Sequence, residues 1–422
     1  MKRIDLTITA QAPLAIGQRK PGGSVSEAMD YIPGGAIRGA IAAKILDQAP
    51  SAPAVDTEGN GDDFHKLFLN EQAAIFQNAY PAIAKAGDDK YERSTDVRLL
   101  PATALSSKTN SGFKPSPDSE KPGVFDSLID GFCARAQRLF YEPNDLTGDR
   151  VEPFSGFYSK AGNTYRSHAV SKRLLTRVGI NRRRATAQEE ILYSLEVLDE
   201  LQGKDHPQTM IYRSSILVQE NSLAEQLHQF IQHNHDQFRL GGAASRGLGR
   251  VAITAEINDI HSQTDAVKQR IADFKTKMEV RWQSWAVFGS AQPLPEITFF
   301  TINLQSDAVL TEQWLRTMVI SETMLRQFAH LNEADDPTLK LETAYSSYDY
   351  RSGWNAAWGL QKDLELVTKM GGVFLFSTQK PELWYDKLAA LELWGVGDRT
   401  SEGFGQIQIC DEFHLIFREN AV

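Results

Sequence analysis

The chain has 422 residues, of which 41% are hydrophobic and 23% are charged. This length fits about two or three domains that each bury a core, and no run of about 18 apolar residues predicts a membrane span. The N-terminus reads as a strand rather than a signal peptide, and Cys133 and Cys410 are the only cysteines. We therefore expect a cytoplasmic protein, and two distant cysteines predict neither a metal site nor a cofactor.

The charge of the chain is unevenly distributed. The net charge of −9 argues against a protein coated in nucleic acid, although nucleic-acid binding depends on local patches. Residues 160–184 contain eight Lys or Arg residues and no Asp or Glu. This basic stretch is the candidate surface for a polyanion.

The first part of the chain predicts a strand, a turn and a helix. Ile4, Leu6 and Ile8 alternate with polar residues, which is typical of a half-buried strand. A Pro-Gly-Gly turn at 33–35 then opens a helix over 36–46.

We predict that the segment from about residue 50 to residue 160 is a long insertion in the first domain. We expect a short helical stretch near 64–80. We also expect partial disorder over 108–120, which is dense in Ser, Pro, Lys and Gly.

Regular patterning returns after the basic stretch. We expect strands over 190–198, 210–218 and 251–257, a helix over 222–235, and a helix over 260–285 that joins two halves. In the second half the patterns predict strands over 296–304 and 371–377, helices over 311–328 and 381–393, and a closing strand that ends at 409.

Two glycine-rich loops end the two halves alike. The loops have the sequences GGAASRGLGRV, at 241–251, and GDRTSEGFGQI, at 397–407. Gly, Ser, Gly, Gly and a β-branched residue occur in both at equal offsets. An internal duplication of a β-α-β-β-α-β unit explains the match. Such loops can cradle an anion with backbone N–H groups, or can need glycine only for a tight turn. A dinucleotide-binding loop follows a strand and opens a helix. The loops here follow a predicted helix and precede a predicted strand, which disfavours that class of site.

Four segments together resemble the RAMP superfamily of CRISPR-associated proteins. They are YIPGGAIRGA at 31–40, the loop at 241–251, VGINRRRATAQEEILYS at 178–194 and SGWNAAWGLQK at 352–362. The third is similar to the thumb hairpin of type III members that hold the 5′ end of CRISPR RNA. The fourth is similar to a segment of the subtype III-D member. Some relatives carry cysteine clusters near 130–160, whereas Cys133 stands alone here.

The resemblance implies an α+β protein with two ferredoxin-like (RRM-like) RAMP domains. The first would cover 1–258, with the insertion at about 50–160 and a basic thumb hairpin at about 165–198. A helical linker over 259–290 would lead to the second domain at 291–422. The implied role is a non-catalytic subunit of a type III effector complex that holds the 5′ handle of CRISPR RNA. Its partners would be the large polymerase-type subunit and the RAMP backbone subunits, with target RNA contacted indirectly.

The candidate RNA-binding residues are basic side chains and loop glycines, because RNA offers phosphates and splayed bases. They are Gly34, Gly35, Arg38, Gly39, His168, Lys172, Arg173, Arg177, Arg182, Arg183, Arg184, Gly241, Gly242, Ser245, Arg246, Gly247, Gly249 and Arg250. Candidate contacts in the second domain are Trp354, Trp358 and Arg399. The two tryptophans could line one helix face and stack on a base, or pack in a core or subunit interface.

Two other functions stay open. The chain could be an endoribonuclease that either processes CRISPR RNA or cleaves target RNA. Asp30 and Glu27 are within reach of the position of the Asp that cleaves target RNA in RAMP backbone subunits. His168 with Tyr165 could also cleave RNA by general acid–base chemistry. Alternatively, the protein could be an assembly part whose glycine loops only turn the chain.

Overall fold

In a computed structural model, the chain has a mixed α+β fold built from antiparallel sheets. The structure describes residues 1–18, 27–48, 63–70, 73–87, 90–116, 118–181, 186–203, 206–260, 262–355 and 360–422. Within these ranges, every helix is too short or too polar to span a lipid bilayer.

The first sheet is built around the N-terminal strand. Lys2–Ala10 pairs antiparallel with Ile211–Val218 on one side and with Arg250–Asp259 on the other. Its apolar side chains alternate, so Ile4, Leu6 and Ile8 are all fully buried on one face. The outer strands are short: Ile75–Phe76 and Tyr80–Pro81 pair with Ile211–Val218, and Phe238–Arg239 pairs with Arg250–Asp259.

Two helices cover the buried face of this first sheet. Helix Gly34–Gln48 buries Ile37 and Ile41, which are one turn apart. Helix Asn221–His233 buries Leu223, Leu227 and Ile231 at the same spacing. These side chains form one apolar core with the first strand.

The second sheet repeats the strand order of the first. Lys340–Tyr345, Val373–Thr378, Thr298–Leu304 and Ile407–Ile409 lie side by side in that order, all antiparallel. In both sheets the first strand of the unit therefore lies between the last and the third. Helices Glu322–Phe328 and Pro381–Trp394 occupy the places of the two helices of the first unit.

The long helix Thr264–Ala286 packs on the second unit. Its buried residues recur every three or four positions, which gives one apolar face. These residues are Val267, Ile271, Phe274, Met278 and Trp282. They join the core of the second sheet together with helix Leu128–Ala136.

The helix predicted over 311–328 is partly wrong. Only Glu322–Phe328 is helical, and Ser321 caps it by accepting a hydrogen bond from the Met324 backbone N–H at 3.1 Å. The preceding residues form a tight hairpin of Leu310–Glu312 and Leu315–Thr317. Gln313 and Trp314 turn this hairpin with φ of 48° and 68°, which ends any helical path before Ser321.

The predicted insertion is folded differently from expectation at two places. The helix near 64–80 is limited to Asp63–Phe68, because Ile75–Phe76 and Tyr80–Pro81 join the first sheet. Disorder over 108–120 is wrong for the described residues of that stretch. Phe113 is buried and packs edge-to-face on Phe154, with ring centroids 5.6 Å apart. This one aromatic anchor fixes a segment whose composition otherwise predicts mobility.

The rest of the insertion forms two small sheets. The first contains Ile83–Gly87, Lys90–Arg93, Arg98–Leu99, Phe157–Ala161 and Thr164–His168. The second contains Ala104–Ser107, Val124–Asp126 and Val151–Pro153.

The basic stretch leads into a long hairpin made of Lys172–Asn181 and Thr186–Leu198. Short two-stranded ladders complete the structure. They are Gly17–Gln18 with Glu27–Ala28, Leu201–Gln202 with Gln208–Thr209, Tyr348–Arg351 with Glu365–Thr368, and Trp354–Asn355 with Leu360–Gln361. Single 3₁₀ turns lie at Ala244–Arg246, Thr400–Glu402, Glu412–Leu415 and Arg418–Asn420.

Candidate nucleic-acid interface

The two glycine loops share one backbone conformation. We call residues 241–249 the first glycine loop and residues 397–405 the second. Each contains a 3₁₀ turn, Ala244–Arg246 or Thr400–Glu402, at the same offset. Positive φ angles also recur at equal offsets: 86°, 56°, 87° and 85° at Gly241, Ala243, Gly247 and Gly249, and 79°, 62°, 94° and 67° at Gly397, Arg399, Gly403 and Gly405.

Close backbone approaches explain the glycine at the end of each loop. A Cβ on Gly249 would lie 2.6 Å from the carbonyl oxygen of Leu240, and one on Gly405 would lie 1.8 Å from that of Val396. The same pairs are joined by N–H···O hydrogen bonds of 2.8 Å. These two glycines are therefore required by turn geometry, whatever the loops bind.

The tips of the two loops have different surroundings. A Cβ on Gly247 would meet nothing within 4 Å, so the first loop faces open space. A Cβ on Gly403 would lie 2.6 Å from Asn78 Oδ1 and 2.9 Å from the Phe76 carbonyl oxygen. The second loop is thus packed against the first unit, and only the first is open to a ligand.

The second glycine loop occupies the start of the first helix, where a phosphate was predicted. The Gly34 N–H donates to Asn78 Oδ1 at 2.8 Å, and a Cβ on Gly34 would lie 1.8 Å from the Phe76 carbonyl oxygen. A Cβ on Gly35 would lie 3.2 Å from Glu402 Oε2. A helix N-terminus favours a negative charge, and here the Glu402 carboxylate supplies it. The predicted RNA contact of Gly34 and Gly35 is therefore not favoured by this conformation, in which the protein itself occupies the helix start.

Arg38 is also engaged within the protein. Its guanidinium donates to the Phe68 carbonyl and lies 6.0 Å from the centre of the Phe68 ring. Burial lowers the pKa of Arg38, although the charge of Glu402 opposes this effect. The half-buried side chain does not offer its guanidinium to a phosphate as predicted. Gly39 lies exposed on the next turn, with open space around its Cβ position.

Arg399 is neutralised by two carboxylates. It forms ion pairs with Glu402, at 2.8 Å, and with Glu365. These ion pairs compensate the charge of Arg399 and therefore do not favour the predicted RNA contact. The segment at Trp354 is a strand, not the expected helix, and the structure describes only its backbone there. Trp358 lies outside the described residues.

We expect the ionisation of Glu402 to make stability depend on pH. Burial raises its pKa, but hydrogen bonds from Arg399 and Lys362 outweigh burial and lower the pKa to about 2, from an ordinary 4.5. The stabilisation, at most about 3 kcal/mol, is complete above pH 4.5 and is lost as the pH falls toward 2. The unfolding free energies of wild type and Glu402→Gln should converge between about pH 6 and pH 3. A difference that stays constant over this range would contradict the assignment.

Alanine at the two loop tips gives a matched test of their surroundings. Gly247→Ala should cost about 1–2 kcal/mol, because only the positive φ is strained. Gly403→Ala has the same backbone strain and also overlaps Asn78 and Phe76, which should add about 1–3 kcal/mol. Urea unfolding of both variants measures the difference. Equal losses would mean that the second loop does not pack on the first unit.

The long hairpin is anchored on the first glycine loop. Leu175 and Leu195 are cross-strand partners in the hairpin. Both pack in an apolar cluster that also contains Val197 of the hairpin, Ala15, and Leu248 of the first glycine loop. One face of the hairpin is therefore fixed to the loop by apolar contact. Arg182, Arg183 and Arg184, predicted at its tip, lie outside the described residues.

Two of the predicted cations at the hairpin base are paired internally. Lys172 lies 2.7 Å from an Asp30 carboxylate oxygen and donates to the Ala28 carbonyl at 2.6 Å. Arg173 lies 3.1 Å from both Asp199 and Glu200. Their charges serve mainly to hold the hairpin base to its neighbours.

Three side chains at the hairpin–loop junction form what we call the junction cluster: Tyr193 and Arg246, which are exposed, and Arg177, which is half-buried. Tyr193 lies directly opposite Arg177 in the hairpin, so both project from one face. Arg246 of the first loop donates to the Tyr193 hydroxyl, and its guanidinium lies 5.6 Å from the ring centre. Among the described residues, no carboxylate forms an ion pair with Arg177 or Arg246. Sequence reasoning missed Tyr193, although its place in the basic hairpin was a usable signal.

The other predicted glycines and Ser245 surround this junction cluster. Gly241, Gly242 and Ser245 lie at least partly exposed, and Arg246 and Arg250 are exposed. Gly242 donates its N–H to the Ala15 carbonyl at 2.9 Å, so this N–H is not available to an anion.

His168 does not lie on a phosphate-binding surface. It is buried, with Nε2 2.8 Å from Ser159 Oγ, and burial lowers its pKa to about 4. The imidazole is therefore neutral at pH 7, and its burial does not favour the predicted RNA contact. Tyr165 is three residues away on the same strand, so the two side chains point to opposite faces. This geometry does not support joint acid–base catalysis.

The two cysteines are isolated, buried thiols. Burial raises the pKa of each to about 12, so neither is a reactive thiolate. In the described part of the chain, no group of three or more His, Cys, Asp or Glu side chains is placed to hold a metal ion.

No family model and no curated protein sequence matches this chain. A chain of the Type III-B Cmr-beta complex, seen by cryo-EM bound to cognate target RNA and AMPPnP, is 11% identical. The match covers 88% of this chain and 86% of that one, with a TM-score of 0.38. A chain of the complex bound to cognate target RNA has 13% identity, the same coverages and a TM-score of 0.37.

A chain of the apo Cmr-beta complex is 12% identical, with 60% of this chain and 96% of that chain covered and a TM-score of 0.26. Because these identities and TM-scores are low, the functional proposal rests on the chain's own residues.

Proposed function

We propose that this protein is a non-catalytic, RNA-binding subunit of a type III CRISPR effector complex. The observation that carries the proposal is the open first glycine loop, joined to a basic hairpin by the junction cluster of Arg177, Tyr193 and Arg246. Arginines suit phosphates, and an exposed tyrosine ring suits an unstacked base. This combination fits single-stranded RNA better than a duplex, whose bases are hidden.

The fold supports the same proposal. In each unit a strand, a helix, two strands, a helix and a strand follow in order, and the last strand lies beside the first. We interpret both units as ferredoxin-like domains of the RAMP type. The duplicated glycine loop would then have kept its RNA-facing role in the first domain, while the second copy holds the two domains together.

Within the complex we assign the RNA ligand to the 5′ handle of CRISPR RNA. The segment similar to a thumb hairpin, at 178–194, includes Tyr193 and the first part of its strand, Thr186–Leu198. The resemblance at 352–362 favours a subtype III-D type of subunit. The proposed partners are the large polymerase-type subunit and the RAMP backbone subunits, with target RNA contacted indirectly, in the cytoplasm.

The state of the candidate catalytic groups supports a binding role. Asp30 is in an ion pair with Lys172, and His168 is buried and neutral.

A single binding and cleavage experiment tests the proposal. The purified chain is incubated with labelled CRISPR repeat RNA at two salt concentrations, and complex and product are followed in the same samples. We expect binding that weakens steeply with salt, because phosphate contacts release counterions, and no cleavage product. Specific product that disappears in Asp30→Ala would instead identify an endoribonuclease. Absence of binding at low salt would contradict the RNA-binding role.

A further inference from the structure

Arg239 and Arg250 face each other across two strands of the first sheet. They are register partners in the antiparallel pair formed by Phe238–Arg239 and Arg250–Asp259. Both side chains are exposed, whereas the next pair, Phe238 and Val251, is buried on the opposite face. The two guanidinium groups therefore leave the sheet side by side on its open face.

This arrangement places two like charges together without compensation. Directly opposite like charges destabilise a strand pair. In the described structure, neither arginine forms an ion pair with a carboxylate. Along the open face the next residues of this strand are Ala252 and Thr254, and the first acid is Glu256. Glu256 lies six residues from Arg250, roughly 20 Å along the strand.

The neighbouring strand also offers no nearby acid. Thr9 and Thr7 lie opposite Ala252 and Thr254, and Asp5 lies opposite Glu256. The two arginines therefore stand at an end of the sheet face where the strands supply hydroxyls and methyl groups but no negative charge.

We infer that Arg239 and Arg250 together bind one phosphate of the RNA backbone. The inference rests on the proposed function and extends its site from the first glycine loop onto the open face of the sheet. A phosphate between the two guanidinium groups accepts hydrogen bonds from both and removes their repulsion. Arg250 directly follows Gly249, so this pair continues the open loop without a break. That continuity favours RNA over an acidic protein partner.

The test compares Arg239→Gln with wild type for affinity, salt dependence and thermal stability. We expect RNA to bind about tenfold more weakly and the slope of log K against log salt to fall by about 1, as when one phosphate is no longer neutralised. The Tm of the free protein should stay the same or rise, because repulsion is removed. Arg239→Lys, which keeps the charge, should recover part of the affinity. Arg93→Gln, an exposed strand arginine in another sheet, is the matched control and should bind as wild type.

The outcomes separate this inference from the proposed function. If wild type binds RNA and Arg239→Gln binds with equal affinity and slope, the inference fails and the RNA-binding role stands. If Arg239→Gln binds RNA normally but no longer joins other subunits, the partner is an acidic protein and the inference also fails. A lowered Tm with no recovery in Arg239→Lys would show a structural role instead. If wild type does not bind RNA, both proposals are overturned.

Discussion

Charge reversal of both arginines in the junction cluster, Arg177→Glu with Arg246→Glu, is expected to weaken RNA binding about 100-fold at moderate salt. Each arginine would lose a charge-assisted hydrogen bond worth about 1.5 kcal/mol or more, and about 1.4 kcal/mol is tenfold in affinity. The introduced carboxylates would also repel the RNA backbone. Fluorescence anisotropy with labelled repeat RNA, measured across a salt series, gives both the affinity and the number of phosphates that the protein neutralises.

A control with equal charge change separates local contact from net charge. Lys275→Glu with Lys277→Glu alters the net charge by the same amount on exposed positions of the long helix Thr264–Ala286. This control should bind RNA within about threefold of wild type, since long-range effects are screened beyond roughly 10 Å at about 0.1 M salt. Equal losses of affinity in the two double variants would mean that the junction cluster does not contact RNA.

Arg351→Ala is expected to lower the free energy of unfolding by about 3–5 kcal/mol. Arg351 and Asp307 are both buried, and Arg351 Nε lies 2.5 Å from Asp307 Oδ2. Removal of the arginine leaves a buried carboxylate without its counter-ion, which is the costly way to break such a pair. Asp307 would keep only weaker partners, such as the Met370 N–H at 2.9 Å. Urea denaturation monitored by tryptophan fluorescence measures the loss.

Arg316→Ala is the matched control for this prediction. Arg316 also pairs with two carboxylates, Asp398 at 2.8 Å and Glu365 at 3.2 Å, but its side chain is 36% exposed. Partly exposed ion pairs contribute about 1 kcal/mol or less, so this variant should lose far less stability. A loss for Arg351→Ala no larger than for Arg316→Ala would show that the Arg351–Asp307 pair is not a structural requirement.

Local patterns predicted the long strands of the first sheet and most of the helices, but not the strands of the insertion. The alternation of Ile4, Leu6 and Ile8 gives the central strand, because burial on one face of a sheet demands that period. The equal spacing of the loop glycines indicated that the two loops share one backbone conformation. The reason is that close approaches of the backbone leave no room for a Cβ at these positions. The false helix over 311–328 shows the limit of this method. Its apolar residues suit either a helix or a hairpin, and only the positive φ angles at the turn decide.

The candidate site was predicted only in part, because charge compensation is a tertiary property. Arg38, Arg399 and Arg246 look alike in the sequence as arginines beside glycine turns. Folding brings Glu402 to the first two, whereas Arg246 meets the Tyr193 hydroxyl. No local pattern tells which of two similar loops will be covered by the other unit. The burial of His168 was missed for the same reason, since a basic neighbourhood in the sequence does not reveal burial.

The contact between Glu402 and the start of the first helix joins residues that are far apart along the chain. A ribosome adds roughly 5–20 residues per second, so the turn at Gly34 and Gly35 emerges tens of seconds before Glu402 is made. During this interval the helix start and Arg38 lack their acidic partner. The second glycine loop can therefore cover this helix start only after the second unit has been synthesised.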